Sequence, residues 1–358
     1  MSPPRRVLVI VTRRIGDVLL ATPVFRSLRQ AWPDATLDAL VFSSTAQVLA
    51  SNTDVNHIRA IPERPTILQH IVFIAKLFRR YDLALSLVPG DRPTLYAYFA
   101  GRRRMGLLLP TQKERWKRWF LHRWLPYSLA AQHTVLTHLS VLDPLGVPAV
   151  AEVVVRWNST DEHRVRQMLA PLNGKRYVVL HLYPKFNYKT WSNAGWLELA
   201  RWISAQGLCL VLTGSGDAAE IEYVSELAGR MDAPLNLAGL LTINESACVI
   251  AQARAYVGPD TALTHMAAAL GVPTVALFGP TDPLKWGPWP SGFDGNHTPW
   301  RSLGDQTIGN VSIVQGNASC VPCTREGCER HFASFSDCLL ALPAGRVINA
   351  LRRIAHHP

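Results

Sequence analysis

The sequence predicts an α/β protein of two successive doubly wound, Rossmann-like domains facing across a cleft. Three observations predict it. The chain has 358 residues, more than one hydrophobic core usually organises. Short β-branched runs alternate with amphipathic stretches, the rhythm of a parallel sheet with crossover helices. That rhythm pauses between Pro144 and Thr160 and then restarts, which divides the chain into domains 1–160 and 161–358.

In the first domain, Arg6–Val11 reads as a strand, Thr12–Asp17 as a loop and Val18–Ala31 as a helix. Further strands are expected at Thr36–Val41, Leu83–Val88 and Arg104–Leu108. In the second, strands at Tyr177–Leu182, Leu208–Thr213, Ala255–Gly258 and Thr274–Phe278 alternate with helices at Asn193–Ala205, Ala218–Arg230 and Thr261–Leu270. A final helix, Pro343–Ala355, is expected to pack back on the first domain.

Composition narrows the class. Hydrophobic residues make up 48% and charged residues 18%, which suits a globular chain and not a disordered one. No apolar run reads as a membrane span: Arg13 and Arg14 cut short Val7–Val11, and Gly271 and Pro273 interrupt Met266–Phe278. The expectation is a cytoplasmic protein. Residues 1–150 hold 20 Lys and Arg against 9 Asp and Glu, whereas residues 151–358 hold 17 of each. A one-sided basic field attracts anionic partners, such as nucleic acid, anionic lipid or a phosphorylated sugar.

Ligands of doubly wound sheets bind beyond the carboxyl ends of the strands, so four loops are candidates for chemistry. In Arg13-Arg14-Ile15-Gly16-Asp17, Asp17 is either a helix N-cap or a general base. In Asp260-Thr261-Ala262-Leu263-Thr264-His265, a strand meets a helix whose first amide groups suit phosphate. Thr261 and Thr264 could add hydroxyl donors there, and His265 lies one turn in from Thr261. Lys189, in Lys185-Phe186-Asn187-Tyr188-Lys189, is either a solvated loop residue or a cation facing a leaving diphosphate. Gly214-Ser215-Gly216-Asp217-Ala218-Ala219 fits the dinucleotide fingerprint. The acid expected some twenty residues later is missing from Pro234–Gly239. That loop reads as a tight turn near nucleotide, with Glu220 or Glu222 available to ribose hydroxyls.

Four of the six cysteines, Cys320, Cys323, Cys328 and Cys338, are spaced C-x₂-C-x₄-C-x₉-C. In a cytosolic chain such clustering suggests a structural zinc or iron site; reduced free thiols are the other reading. Lys113–Arg123 interleaves basic residues with Trp116 and Trp119, and Trp124 follows. This suits a membrane interface or a phosphorylated glycolipid, or a helix with one buried aromatic face.

Together these segments resemble glycosyltransferase family nine, the ADP-heptose:lipopolysaccharide heptosyltransferases. The resemblance is carried by Val7–Asp17 followed by Val18-Leu19-Leu20-Ala21-Thr22-Pro23, by Lys189-Thr190-Trp191, and by Gly258-Pro259-Asp260-Thr261-Ala262-Leu263-Thr264-His265. Gly271-Val272-Pro273-Thr274 and Phe278-Gly279-Pro280-Thr281 extend it. Family members carry hydroxyl residues shortly before the lysine; here that stretch is Pro184-Lys185-Phe186-Asn187.

The resemblance implies a GT-B fold and an inverting transfer of heptose from ADP-heptose to the Kdo or heptose of the lipopolysaccharide inner core, with no cofactor needed. It implies Asp17 as catalytic base and Lys189 facing the diphosphate. Asp260, Thr261, Ala262, Thr264 and His265 would line the donor site, with Glu220 and Glu222 beside it. Arg13, Arg14, Arg64, Arg102, Arg103 and Arg104 would meet the phosphates of a lipid A–Kdo or core oligosaccharide acceptor. The enzyme would touch the anionic inner face of the inner membrane, and nucleic acid is not expected as a partner. A family-nine transferase with another donor or a protein acceptor is the second reading. A nucleotide- or nucleic-acid-binding protein without transfer activity is the third.

Overall fold

The computed structural model describes residues 3–127, 132–295 and 297–355. The chain forms two compact units, divided between Arg156 and Trp157; Asp294–His297 group with the first.

The first unit opens with β1 (Arg6–Val11), α1 (Ile15–Leu19), α2 (Thr22–Ala31) and β2 (Thr36–Phe42). It continues through β3 (His57–Ile61), α3 (Ile67–Leu77), β4 (Tyr81–Ser86) and α4 (Asp91–Ala100). It ends with β5 (Gly101–Leu108), a 3-10 helix at Gln112–Phe120, β6 (Arg123–Pro126) and α5 (Thr134–Leu139). All the strands are parallel, in the order β3-β2-β1-β4-β5-β6. Val7 to Val11 in central β1 are fully buried. An unbroken apolar strand is what helices on both sheet faces require.

The helix expected over Val18–Ala31 is two helices, and the break has a local cause. Pro23 has no amide hydrogen, so the carbonyl of Leu19 four residues back loses its helical partner. The Thr22 hydroxyl donates to that carbonyl instead, at 2.7 Å. Edge strand β3 escaped the sequence reading because its apolar residues are few. It is held by a buried acid: the Asp38 carboxylate accepts from Tyr81 Oη at 2.7 Å, Arg59 Nε at 3.0 Å and His57 Nδ1 at 2.9 Å.

The second unit begins with α6 (Ser159–Leu169), β7 (Tyr177–His181), α7 (Asn193–Ala205) and β8 (Cys209–Thr213). It proceeds through α8 (Ala218–Ala228), β9 (Leu235–Asn236), α9 (Ile243–Ala251) and β10 (Ala255–Pro259). Then come α10 (Ala262–Ala269), β11 (Thr274–Phe278), α11 (Pro283–Trp286), β12 (Gln306–Ile308) and β13 (Val311–Gln315). The last helices are α12 (Asp337–Leu340) and α13 (Ala344–Ala355). The sheet runs β12-β13-β11-β10-β7-β8-β9, with β12 the antiparallel edge. Capping boxes start α6 at Asn158/Asp161 and α9 at Thr242/Glu245, each supplying two otherwise orphaned amides with acceptors.

Val347, Leu351 and Ile354 of α13 are buried in the core of the second unit, beside Trp191 and Trp196, and α13 packs on α7, β13 and β11. Its apolar stripe is buried within its own unit. Among the described residues, no helix is long and apolar enough to cross a membrane.

Candidate active site

In the second sheet, β7 lies between β10 and β8. Crossovers leave β7 to one side for β8 and β9, and β10 and β11 build on the other. The strand order therefore reverses between β7 and β10, and ligands of doubly wound sheets enter at such a point. The loops that follow these two strands carry Lys189 and Asp260. Residues 71 apart in sequence meet because their strands are neighbours.

The contact is close. Lys189 Nζ donates to Asp260 Oδ2 at 2.5 Å and to the Asp260 main-chain carbonyl at 3.0 Å. On the other side, His265 Nε2 stands 3.5 Å from Asp260 Oδ1. Asp260 is 6% exposed and His265 4%. Burial alone would raise the Asp260 carboxyl, but the charges of Lys189 and His265 outweigh it. They hold the group well below the ordinary carboxylate range. His265 Nδ1 is buried without a hydrogen-bond partner among the described residues.

Thr261 is the N-cap of α10 and makes no side-chain capping bond. The first amides of this helix therefore keep their hydrogens for an outside acceptor. Thr264 is turned into the protein. It is fully buried, its hydroxyl donates to the Pro259 carbonyl at 2.5 Å, and it lies 3.1 Å from Tyr256 Oη. It fixes the turn from β10 into α10. Ala262 occupies the first turn of α10, half-buried.

The glycine loop after β8 behaves differently. Asp217 caps α8, its Oδ1 accepting from the amides of Ala219 at 3.0 Å and Glu220 at 3.3 Å. The amides a dinucleotide phosphate would need are already taken. Glu220 is buried and accepts from the Ser215 hydroxyl. A Cβ on Gly214 would come within 3.0 Å of Glu220 Oε1, so this glycine admits the carboxylate, not a pyrophosphate. Glu220 is thus tied into the turn, and Glu222 lies exposed on α8; neither joins the Lys189–Asp260 cluster. His181, which the sequence reading passed over, faces Glu220. Burial lowers its pKa and the Glu220 charge raises it in part. Its Nδ1–H donates to the Thr213 carbonyl at 3.3 Å. A histidine ending the otherwise apolar strand Tyr-Val-Val-Leu-His was the available signal.

In the first unit, the order β3-β2-β1-β4-β5-β6 reverses between β1 and β4, and Asp17 follows β1. It is not a helix cap: the N-cap of α1 is Arg14, and Asp17 sits in the first turn. Burial raises its carboxyl pKa, against the weaker pull of Arg13, Arg14 and nearby amides. A carboxylate with raised affinity for protons is a better general base. Tyr127, also missed from the sequence, lies close enough to feel it. Its phenol is pushed up to about 12, first by burial and then by the Asp17 charge. Arg13 Nη2 donates to the Pro89 carbonyl at 3.4 Å, linking the loops that follow β1 and β4. Arg14 lies beside them. Arg64 is exposed in the loop that follows β3, at the same carboxyl edge.

Arg102, Arg103 and Arg104 are not at that edge. They occupy the first half of β5, where Arg103 is level with Leu83, which in turn pairs with Val7 near the start of β1. Arg104 also stacks on Tyr98 at 4.8 Å and bonds His122. The strand directs them to the amino end of the sheet, opposite Asp17.

The expected zinc or iron site at the cysteine cluster finds no support in the structure. Among the described residues, no three His, Cys, Asp or Glu side chains are arranged to hold a metal ion. Cys320 and Cys328 are exposed, whereas Cys338 is buried. Burial pushes the Cys338 thiol up to about 11, and the charges of Cys323, Cys320 and Cys328 add to the shift. Cys328 Sγ instead accepts the Asp337 amide at 3.4 Å.

Residues 83–296 match the model of glycosyltransferase family 9 (heptosyltransferase). The chain is 28% identical over 320 residues to lipopolysaccharide heptosyltransferase 3 of Escherichia coli, covering 84% of this chain and 92% of that one. The fold is shared with a glycosyl transferase family 9 protein from Veillonella parvula, at TM-score 0.80 and 16% identity over 99% of this chain and 98% of that one. It is also shared with E. coli ADP-heptose lps heptosyltransferase II, at TM-score 0.75 and 20% identity over 98% of each chain. The architecture is the GT-B fold of two Rossmann-like units. With the family model spanning more than half of the sequence, the chain belongs to glycosyltransferase family 9, the heptosyltransferases.

Proposed function

We propose that this enzyme transfers heptose from ADP-heptose to the phosphorylated inner core of lipopolysaccharide, with inversion and without a metal. The observation that carries the reading is the Lys189–Asp260–His265 cluster beside the uncapped start of α10. A paired lysine and free helix amides meet the two needs of a diphosphate leaving group, positive charge and hydrogen-bond donors.

Asp17 takes the proton from the acceptor hydroxyl. That oxygen attacks the anomeric carbon from the face opposite the diphosphate, the bond from that carbon to the diphosphate oxygen breaks, and ADP departs with the electron pair. Lys189 and the first amides of α10 stabilise the charge that develops on it. Asp260 holds Lys189 in position, and His265 supports Asp260 from behind. Arg13, Arg14 and Arg64, at the Asp17 edge, suit the phosphates of the acceptor. Because the lipid A–Kdo acceptor is held in a bilayer, the enzyme works at the cytoplasmic face of the inner membrane, in peripheral contact with it.

Titration of the purified protein with ADP-heptose, against UDP-glucose and NADH, tests this reading. Selective binding of ADP-heptose, followed by transfer to a Kdo-bearing acceptor, supports it. Binding of UDP-glucose alone replaces the donor, and binding of NADH alone overturns the reading.

A further inference from the structure

One helix of the first unit is apolar on both sides. His70, Phe73, Ile74 and Leu77 of α3 face inward: Leu77 is buried, Phe73 packs edge-on against Tyr96 with ring centroids 5.8 Å apart, and His70 meets Tyr96 Oη at 2.5 Å. The opposite face is also aliphatic. Ile67 is 81% exposed, Leu68 70%, Ile71 60% and Val72 43%. Their spacing of one, four and five residues places them on a single stripe. A surface helix usually turns polar residues outward; a contiguous exposed apolar stripe with a polar rim marks a binding surface.

The rim is basic. Between Arg64 and Arg80 the chain carries four basic residues, Arg64, Lys76, Arg79 and Arg80, and no acid. The neighbouring 3-10 helix Gln112–Phe120 lies on the same layer. Crossovers in a parallel sheet are right-handed, so α3 and α4, which both run toward β5, cover one face, and α2, running the other way, covers the opposite one. The 3-10 helix packs on α4, as α3 does. It presents Trp119, 90% exposed, between Lys113, Arg115 and Arg118. Lys117 is the exception: it is buried, paired with Asp91 at 2.7 Å and with Glu114.

We propose that this layer docks on an anionic lipid bilayer. Ile67, Leu68, Ile71, Val72 and Trp119 enter the interfacial zone, and the basic rim meets lipid phosphates. Charge decides between a bilayer and a second copy of the chain. Two copies seated α3 to α3 would bring basic rims together with no acid in this segment to pair them, whereas phosphate headgroups supply the missing countercharge. The placement also suits the reaction. Helix α3 starts at the carboxyl edge of the sheet, where Arg64 and Asp17 lie, so a lipid bound along it presents its sugars at that edge. The inference rests on the proposed lipid-linked acceptor, and its test uses no sugar acceptor.

The full chain is mixed with phosphatidylglycerol–phosphatidylethanolamine vesicles and, separately, with phosphatidylcholine vesicles, and sedimented with them. The expected result is binding to the anionic vesicles that weakens as salt is raised. The paired substitution Leu68→Glu and Ile71→Glu lowers partition at least about tenfold, with the thermal midpoint and ADP-heptose binding unchanged. Brominated lipid quenches a fluorescence component that Trp119→Phe removes. Three results would overturn the proposal: equal binding to both vesicle types, wild-type partition by the paired variant, or a wild-type dimer that the pair dissolves while vesicle binding persists. Vesicle binding without ADP-heptose binding would leave this surface standing and sink the proposed reaction.

Discussion

Lys189 and Asp260 form a partly buried ion pair, 2.5 Å between Nζ and Oδ2, that joins the loops after β7 and β10. Neither residue is well placed without the other. The lysine is held by both the carboxylate and the carbonyl of one residue, and the aspartate stays ionised because the ammonium is there.

Removing one partner should therefore be costly. Lys189→Met leaves the buried Asp260 carboxylate with only His265 beside it, and stability should fall by about 3–5 kcal/mol. Turnover should fall by roughly 10²–10³ as the leaving diphosphate loses its cation. Thermal denaturation and single-turnover rates check the two effects separately. A stable, fully active Lys189→Met enzyme would remove the lysine from the proposed mechanism.

Asp17 has the raised proton affinity of a base. Asp17→Asn should lower turnover by roughly 10²–10⁴ while ADP-heptose affinity, measured by calorimetry, stays within experimental scatter. In the wild-type enzyme the acid limb of kcat/KM should lie above the ordinary aspartate value of 3.8, since the carboxyl is raised by burial. A limb at or below that value would assign the base elsewhere.

His138 gives a pH dependence of stability unrelated to catalysis. It is buried and lowered from 6.5 to about 4, and its Nδ1–H donates to the Leu20 carbonyl at 3.3 Å. The unfolded chain protonates this group near pH 6.5 and the folded chain only near pH 4. Stability is therefore full above the higher value and falls as pH drops between them, by about 3 kcal/mol in all. Urea unfolding at pH 7 and pH 5 should show the loss, and His138→Gln should flatten it. An identical slope in that variant would assign the loss to other groups.

The glycine loop makes a contrasting prediction. Asp217→Ala removes the α8 cap and should cost about 1 kcal/mol with no change in ADP-heptose affinity, measured by titration alongside thermal melts. A large loss of nucleotide affinity would restore the loop to the donor site.

Much of this was legible in the chain. The alternation of Tyr177–His181, Asn193–Ala205 and Cys209–Thr213 follows from apolar periodicity alone, because a strand buried on both faces and a helix buried on one leave different patterns. The carboxyl-edge positions of Asp17, Lys189 and Asp260 follow from the same alternation. The split after Leu19 was also written in the sequence, in Pro23, but periodicity carries straight through it.

What the sequence by itself determined is therefore local: which segments are strands, which loops leave their carboxyl ends, and which half carries the positive charge. Partnership was decided only in three dimensions. Glu220 and Asp260 both sit near helix starts after a strand, yet one is bound into its own turn by Ser215 while the other receives Lys189. Arg102–Arg104 and Arg64 look alike as basic residues, yet strand direction sends them to opposite ends of the sheet. In α3, packing uses only one of two aliphatic faces. The physical reason is the same in each case: periodicity records how much of a segment is apolar, whereas pairing, strand order and burial depend on contacts between residues far apart in the chain.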